Sequence, residues 1–213
     1  MSIFSFRNKS ELIEKADALP GREEPIFIPD LHYVNGNSLE EIKNRDLDSI
    51  IFGMGCFWGA EKFFWELKGI VYTSVGYISG YTANATYEEV CSGMTGHNEV
   101  VEIIYSPAEI SLEMILKTFW ENHDPTQGMR QGNDIGTQYR SGIYFLNEPN
   151  LITIEESKNK YQKKLTEKNH GLISTEIIPA TTYYYAEEYH QQYLAKNPNG
   201  YCGHGGCGIS LDD

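Results

Sequence analysis

The sequence of 213 residues predicts an α+β protein, a two-layer sandwich with a mixed sheet and a ferredoxin-like core. Segments rich in β-branched and aromatic residues are interspersed with segments of helical periodicity. Neighbouring strands have hairpin-like connections, which favours this architecture over a regular strand–helix–strand series. The sequence contains no internal repeat.

The elements are expected in the following order along the chain. Strands are predicted at SIIFGM, IVYTSVGYI, EVVEIIYSP, YRSGIYFL and STEIIPA. Helices are predicted from Phe57 onward, over LEMILKTFWENH with Ser111 as N-cap, from Pro149 to about Lys168, and near residues 184–195. The stretch SGYTANATYEEVCSGMTGHN is interpreted as a turn-rich loop.

Three segments are expected in this chain. Residues 1–46 contain the turn-rich stretches ALPGREEP and VNGNS and are interpreted as an N-terminal extension packed on the core. Residues 47–198 are expected to form the main domain, and residues 199–213 a flexible glycine-rich tail. Within the main domain, DPTQGMRQGNDIGTQ is long for a connection and rich in breakers, which favours a functional loop.

Composition and charge exclude several classes of function. The formal net charge of −13 argues against nucleic acid and anionic membranes as partners. The sequence has no signal-peptide pattern and no apolar run long enough to span a bilayer, so a cytoplasmic protein is expected. In that compartment the four cysteines are expected to be free, catalytic or metal-bound: Cys56, Cys91, Cys202 and Cys207.

Cys56 lies where a predicted strand ends and a helix begins. The N–H groups of the first helical turn favour an anion, so the pKa of this thiol is expected to be lowered. Gly55 and Gly59 are expected to leave space for a ligand beside the sulfur. A buried packing cysteine is the alternative, and the spacing leaves both open.

The stretch GMGCFWG is similar to the dinucleotide-binding pattern G-x-G-x-x-G, but Trp58 stands in place of the third glycine. The indole would crowd the helix–strand packing that this glycine permits. No cofactor site is therefore predicted.

Several long motifs occur in one order through most of the chain. They are GCFWG, GYTANATYEEVCSGMTGHNEVVEI, FWENHDPTQGMRQGNDIGTQYRSGIY, YYYAEEYHQQYL and NPNGYCG, with ADALPGR in the extension. Together they resemble the A-type peptide methionine sulfoxide reductases. The resemblance implies reduction of the S epimer of methionine sulfoxide, free or in oxidised proteins, with thioredoxin as the usual reductant and Cys56 as the nucleophile.

Sulfoxide reduction requires an acid, because the oxygen must leave protonated. Two glutamates, Glu99 and Glu102, lie on opposite faces of one predicted strand, and alternation alone does not choose between them. The resemblance assigns the role to Glu99. A carboxyl at the end of an apolar face is expected to have a raised pKa.

The resemblance implies roles for five further residues near the substrate. Tyr87 and Tyr139 match hydrogen-bond donors to the sulfoxide oxygen, and Asp134 matches a position that orients donors or water. Phe57 and Trp58 match an apolar wall for the S-methyl group.

The tail is expected to complete the reaction. The resemblance makes Cys202 the resolving cysteine, which condenses with the sulfenic acid formed on Cys56. A second recycling cysteine is usual farther along the tail, where this chain has Ser210, so Cys207 is the candidate for that role. Cys91 matches no essential position and is interpreted as packing.

Two alternatives use some of the same residues. Cys56 and His97 could form the nucleophile–base pair of a cysteine hydrolase, although no orienting Asn or Asp is evident. Cys202, His204 and Cys207 could bind zinc in a structural module, although three ligands at short spacing are a weak signal. The reductase interpretation predicts no metal and no cofactor, and a monomer is expected.

Overall fold

The fold is given by a computed structural model that describes residues 8–203 and 205–212. The strands in these residues are β1 (Asp48–Met54), β2 (Ile70–Ile78), β3 (Asn98–Tyr105), β4 (Arg130–Gln131), β5 (Asp134–Ile135), β6 (Ser141–Phe145), β7 (Glu176–Pro179) and β8 (Tyr184–Tyr185). The α-helices are α1 (Leu39–Ile42), α2 (Phe57–Trp65), α3 (Tyr87–Cys91), α4 (Leu112–Glu121), α5 (Asn150–Glu167) and α6 (Tyr193–Lys196). Two 3₁₀ helices cover Lys15–Asp17 and Thr137–Tyr139.

Six strands form one mixed sheet in the order β7-β6-β1-β3-β2-β8. All neighbouring pairs are antiparallel except β6 and β7, which are parallel. Strands β4 and β5 form a separate small hairpin. The prediction of a mixed α+β fold is confirmed.

The main core lies between one face of the sheet and helices α2, α4 and α5. Alternate strand residues such as Phe52, Val101 and Ile143 meet Phe64 and Phe119 from the helices. Ring centroids of Phe52 and Phe119 are 4.6 Å apart, which is contact distance for aromatic pairs. This packing fixes the start of α2 against the ends of β1 and β3, where the candidate site lies.

The predicted strands and the three longer helices are confirmed, including Ser111 as the N-cap of α4, whose side chain accepts from the Met114 N–H. The predicted helix near residues 184–195 is wrong over most of its length, and only its end coincides with the short helix α6 (Tyr193–Lys196). Tyr184 and Tyr185 instead form the edge strand β8 beside Gly76 and Tyr77. Tertiary hydrogen bonds override helix propensity here, because the Gln191 side-chain amide bonds both backbone groups of Val75 at 2.9 and 2.8 Å.

Helix α3 lies inside the stretch interpreted as a loop. Its N-terminus carries a capping box in which Thr86 and Glu89 satisfy each other's backbone N–H groups. The T-x-x-E spacing was the signal for this helix, and five residues are too few to show apolar periodicity. Among the described residues, no helix is both long and apolar enough to cross a membrane.

Candidate active site

Cys56 is the N-cap residue of α2 and is 8% exposed. Gly55 precedes it with φ +93°, a left-handed conformation that glycine adopts without strain. A Cβ on Gly55 would lie 2.5 Å from the Gln131 side chain. The glycine therefore serves the turn and the packing of Gln131, and the expectation that it opens space for a ligand is wrong.

The thiol of Cys56 is held in its protonated form. Burial raises its pKa, the charge of Glu99 raises it further, and the N–H groups of Trp58 and Gly59 oppose both. The N–H groups at the start of α2 do lower the pKa of Cys56, as expected. Their effect is smaller than that of burial, because the desolvation of a thiolate is more unfavourable than these hydrogen bonds are favourable. The prediction of a lowered pKa is wrong for the free protein.

Glu99 lies on β3 and is 1% exposed. Its Oε2 accepts from the backbone N–H of Phe57 at 3.4 Å, so the carboxyl adjoins the residue that follows Cys56. Burial raises the pKa of Glu99 to about 8, and the charge of Asp134 contributes to that rise. Its Oε1 is buried with no hydrogen-bond partner among the described residues. A neutral acid with one unpartnered oxygen thus stands beside the thiol.

Two phenols border this carboxyl. Tyr87 begins α3, and Tyr139 ends the 3₁₀ helix Thr137–Tyr139. Burial raises the pKa of both phenols, and the charge of Glu99 raises each further. Both hydroxyls therefore keep their protons at neutral pH and can donate hydrogen bonds. Asp134 on β5 is half-buried, and its charge raises the pKa of Cys56 and of Glu99.

The aromatic residues after the thiol occupy different environments. Phe57 is fully buried, with its ring centroid 5.1 Å from that of His190. Trp58 is half-buried, and its ring stacks on Tyr193 at 4.0 Å. The Trp58 indole N–H donates to Nδ1 of His190 at 2.9 Å, which fixes the orientation of the indole. The half-buried indole of Trp58 is thus held in place by His190 and Tyr193, while the Phe57 ring lies inside the core.

Sequence reasoning missed several residues around the site. His190 and Tyr193 support Trp58, while Glu187 accepts from the Tyr87 backbone N–H at 2.9 Å and from the Tyr77 hydroxyl at 3.1 Å. Only the resemblance of YYYAEEYHQQYL to a family motif pointed to this segment, since the contacts that join it to the site are long-range.

Cys91 also belongs to the surroundings of the site. The side chains of Tyr87 and Gln138 lie near its sulfur and act to lower the pKa of the thiol. Burial, followed by the charge of Glu99, raises the pKa of this thiol. Cys91 is thus half-buried and lies near Tyr87, a residue of the candidate site.

The tail thiols are free and lie in two environments. Cys202 is exposed and follows Tyr201, whose hydroxyl is 3.3 Å from both carboxyl oxygens of Asp134. Cys207 is half-buried and lies near the Asp124 carboxylate. Burial and the charge of Asp124 raise the pKa of Cys207 to about 12. Cys202 therefore lies close to the candidate site, whereas Cys207 lies near Asp124.

The hydrolase alternative finds no support at His97. This ring is buried, its Nε2 lies 2.7 Å from the Thr82 carbonyl oxygen, and its ring neighbours are Tyr77 and Tyr184. Burial lowers the pKa of His97. No contact within the described part of the chain joins it to Cys56.

The zinc alternative rests partly on His204, which lies outside the described residues. Among residues 8–203 and 205–212, no group of three or more His, Cys, Asp or Glu side chains is placed to hold a metal ion.

A buried thiol, an acid kept neutral beside it, and phenols near that acid define a thiol-dependent enzyme that couples nucleophilic attack to protonation. The comparisons with known proteins agree with this class. The family model "Peptide methionine sulfoxide reductase" matches residues 48–206. The chain belongs to this family, and the hydrolase alternative is not supported.

The relatives and solved structures cover most of the chain. A peptide methionine sulfoxide reductase MsrA of Vibrio parahaemolyticus is 56% identical over 202 residues, 95% of each chain. MsrA 1 of Synechocystis sp. is 54% identical over 205 residues, 96% of this chain and 92% of the relative. The structure of methionine sulfoxide reductase A of Corynebacterium diphtheriae is 46% identical and covers 93% of this chain and 99% of its own, with a TM-score of 0.84.

Proposed function

We infer that this protein reduces methionine sulfoxide, free and in oxidised proteins, to methionine, and that it acts on the S epimer with Cys56 as nucleophile. The observation that carries the proposal is the Glu99 carboxyl, which is neutral at pH 7 and has an unpartnered oxygen beside the thiol. A sulfoxide oxygen needs such a proton to leave.

In the first step, the Cys56 sulfur attacks the sulfoxide sulfur while Glu99 gives its proton to the oxygen. The thiol proton replaces the one lost from Glu99, and the oxygen passes to Cys56. The products are methionine and a Cys56 sulfenic acid, so the sulfoxide sulfur gains two electrons and the cysteine sulfur loses two. Since the carboxyl is regenerated, one residue serves as acid and as acceptor of the thiol proton.

The remaining site residues have supporting roles. Tyr87 and Tyr139 donate hydrogen bonds to the oxygen as negative charge develops on it, and the raised pKa of each keeps its proton in place. Asp134 orients these donors or water. Phe57 and Trp58 receive the S-methyl group by sulfur–aromatic and apolar contact.

In the second step, the Cys202 thiol attacks the sulfenic acid, which forms a Cys56–Cys202 disulfide and releases water. The exposure of Cys202 and the approach of Tyr201 to Asp134 support this role. Cys207 is the candidate for a second exchange that moves the disulfide outward.

We propose thioredoxin as the reductant that closes the cycle. Yeast Mxr1 has been crystallised in complex with Trx2. We further propose a monomeric cytoplasmic enzyme with a ferredoxin-like core, in which residues 1–46, 47–198 and 199–213 are the extension, the catalytic domain and the tail.

Single-turnover reduction of resolved methionine sulfoxide epimers tests the proposal. We expect stoichiometric methionine from the S epimer only, and none with Cys56→Ser, because a serine hydroxyl is a poor nucleophile towards sulfur. Appreciable product from the variant, or equal use of both epimers, would contradict the assignment.

A further inference from the structure

The N-terminal strap, defined as residues 8–23, contacts both elements that carry the phenols. Its backbone runs along the segment before and after α3. The Leu19 N–H donates to the Met94 carbonyl at 2.9 Å, and the Arg22 N–H donates to the Ala83 carbonyl at 3.0 Å. Gly21 permits this approach, since a Cβ there would lie 2.5 Å from the Ala83 nitrogen.

The strap holds the two ends of α3, the five-residue helix that begins at Tyr87. At the N-terminal end, Arg22 donates to Glu89 at 2.6 Å and to the Asn84 carbonyl at 2.5 Å. Arg22 lowers the pKa of Glu89 and so keeps the capping box ionised. At the C-terminal end, the Lys9 ammonium donates to the Cys91 carbonyl at 2.7 Å. A cation there satisfies an orphan carbonyl and complements the helix dipole.

Lys9 also binds the second phenol-bearing element through its backbone. Its carbonyl accepts from the Thr137 N–H at 2.9 Å, at the start of the 3₁₀ helix that ends at Tyr139. The same two elements meet again at the Cys91 thiol, whose pKa is affected by the side chains of both Tyr87 and Gln138. One strap residue thus joins the segments of both phenols.

We propose that Lys9 is a positioning residue of the reductase, which sets the separation of Tyr87 and Tyr139 over Glu99. The inference rests on the proposed roles of the two phenols. Contacts of the residues on either side of Lys9 hold its backbone in position. Asn8 and Glu11 close a turn around it, with the Asn8 side-chain amide 2.9 Å from Glu11 Oε1, and Ile13 is 3% exposed.

The test compares Lys9→Met with Lys9→Arg and with Lys15→Met as a matched loss of charge in the same segment. Among residues 8–203 and 205–212, the Lys15 ammonium has no hydrogen bond or ion pair, and it lies on the exposed 3₁₀ helix Lys15–Asp17. Because the phenols act as charge develops, we expect Lys9→Met to lower the maximal single-turnover rate about tenfold and to leave the half-saturating substrate concentration unchanged. A misplacement of 1 Å can cost up to ~10²-fold. Lys9→Arg should recover most of the rate, and Lys15→Met should match the parent.

The same substitution is then made in a Tyr87→Phe, Tyr139→Phe background. If Lys9 acts through the phenols, Lys9→Met has no further effect there. An equal loss in both backgrounds would mean general destabilisation and would overturn the inference, as would a parental rate for Lys9→Met alone. If the double phenylalanine variant itself keeps the parental rate, the proposed role of the phenols fails first, and the inference about Lys9 fails with it.

Discussion

Cys56 and the tail thiols lie in regions of contrasting construction. Cys56 is enclosed where β1 meets α2, with the core of the sheet beneath it and Glu99 beside it. Cys202 lies exposed among glycines, and its neighbour Tyr201 is connected to the main domain through the hydroxyl contact with Asp134. The first region holds the Cys56 sulfur in a fixed position beside Glu99, whereas the second leaves the Cys202 thiol accessible to other molecules.

This difference corresponds to two chemical demands. Attack on a sulfoxide needs sulfur, acid and donors in one arrangement, and rigid elements supply that accuracy. Disulfide exchange requires one thiol to reach another and then a reductant to reach both, which favours an exposed and pliable segment. In the proposed mechanism, the reaction is therefore divided between the enclosed site around Cys56 and the exposed thiol of Cys202.

The largest expected effect tests the preorganised region. Glu99→Gln keeps the shape but removes the proton, so we expect single-turnover reduction to fall by about 10²–10⁴-fold, the usual range for general acid catalysis. Alkylation of Cys56 should persist. Glu102→Gln is the matched control, since Glu102 lies on the same strand with a raised pKa but bonds to Ser74 at 3.1 Å. A parental rate for Glu99→Gln would mean that another group supplies the proton.

The next substitution tests the movable region. Cys202→Ser should give a stoichiometric burst of methionine at the parental rate, because the first step does not use the tail. Turnover supported by thioredoxin should then be impaired, since the sulfenic acid lacks its partner. Quenched-flow methionine assays alongside steady-state turnover separate the two. A slowed burst would show that the tail also shapes the first step.

Sequence patterns predicted the parts of this comparison that depend on local order. The strand, glycine and helix around Cys56 follow from β1 residues and helical periodicity, and the resemblance selected Glu99 over Glu102. The contacts of His190 and Glu187 could not be predicted, because they join residues more than 90 positions apart. The pKa of the Cys56 thiol was predicted in the wrong direction for a similar reason. The sequence shows the nearby N–H groups of the helix, which lower this pKa, but the burial that raises it depends on the tertiary structure.

The raised pKa of Glu99 also predicts a dependence of stability on pH. The folded protein binds this proton up to about pH 8, whereas an unfolded glutamate carboxyl releases it near its ordinary pKa of 4.5. The contribution of Glu99 to stability is therefore complete below about pH 4.5 and is lost as pH rises to about 8. Relative to the parent, Glu99→Gln should gain a few kcal/mol across this window, at about 1.4 kcal/mol per pKa unit.

Urea unfolding between pH 4.5 and 8.5 measures this gain. Glu156→Gln, at an exposed position of α5, serves as the control and should show no such trend. A constant difference between parent and Glu99→Gln at all pH values would contradict a neutral Glu99 in the folded state.

The smallest expected effect concerns the second tail thiol. The end of the tail is docked on α4, where Glu121 Oε1 accepts from the Leu211 N–H at 2.6 Å and from the Ser210 hydroxyl at 3.1 Å. Leu211 is 6% exposed, and Gly206 passes so close that a Cβ would lie 1.9 Å from the Glu121 carbonyl oxygen. Cys207 is held protonated at Asp124 in this state. A relay through Cys207 therefore requires the tail to undock.

We expect iodoacetamide to modify Cys207 more slowly than Cys202 in the reduced parent. Glu121→Ala removes an acceptor of two hydrogen bonds worth about 1–3 kcal/mol together, so alkylation of Cys207 should quicken about tenfold or more. Glu156→Ala on α5 is the control.

If Cys207 relays the disulfide, Cys207→Ser should trap the Cys56–Cys202 bond after one turnover, and mass spectrometry of the parent should find a Cys202–Cys207 bond. Normal thioredoxin-supported cycling of Cys207→Ser would instead show that the reductant attacks the first disulfide directly, and that the docked end of the tail has no part in recycling.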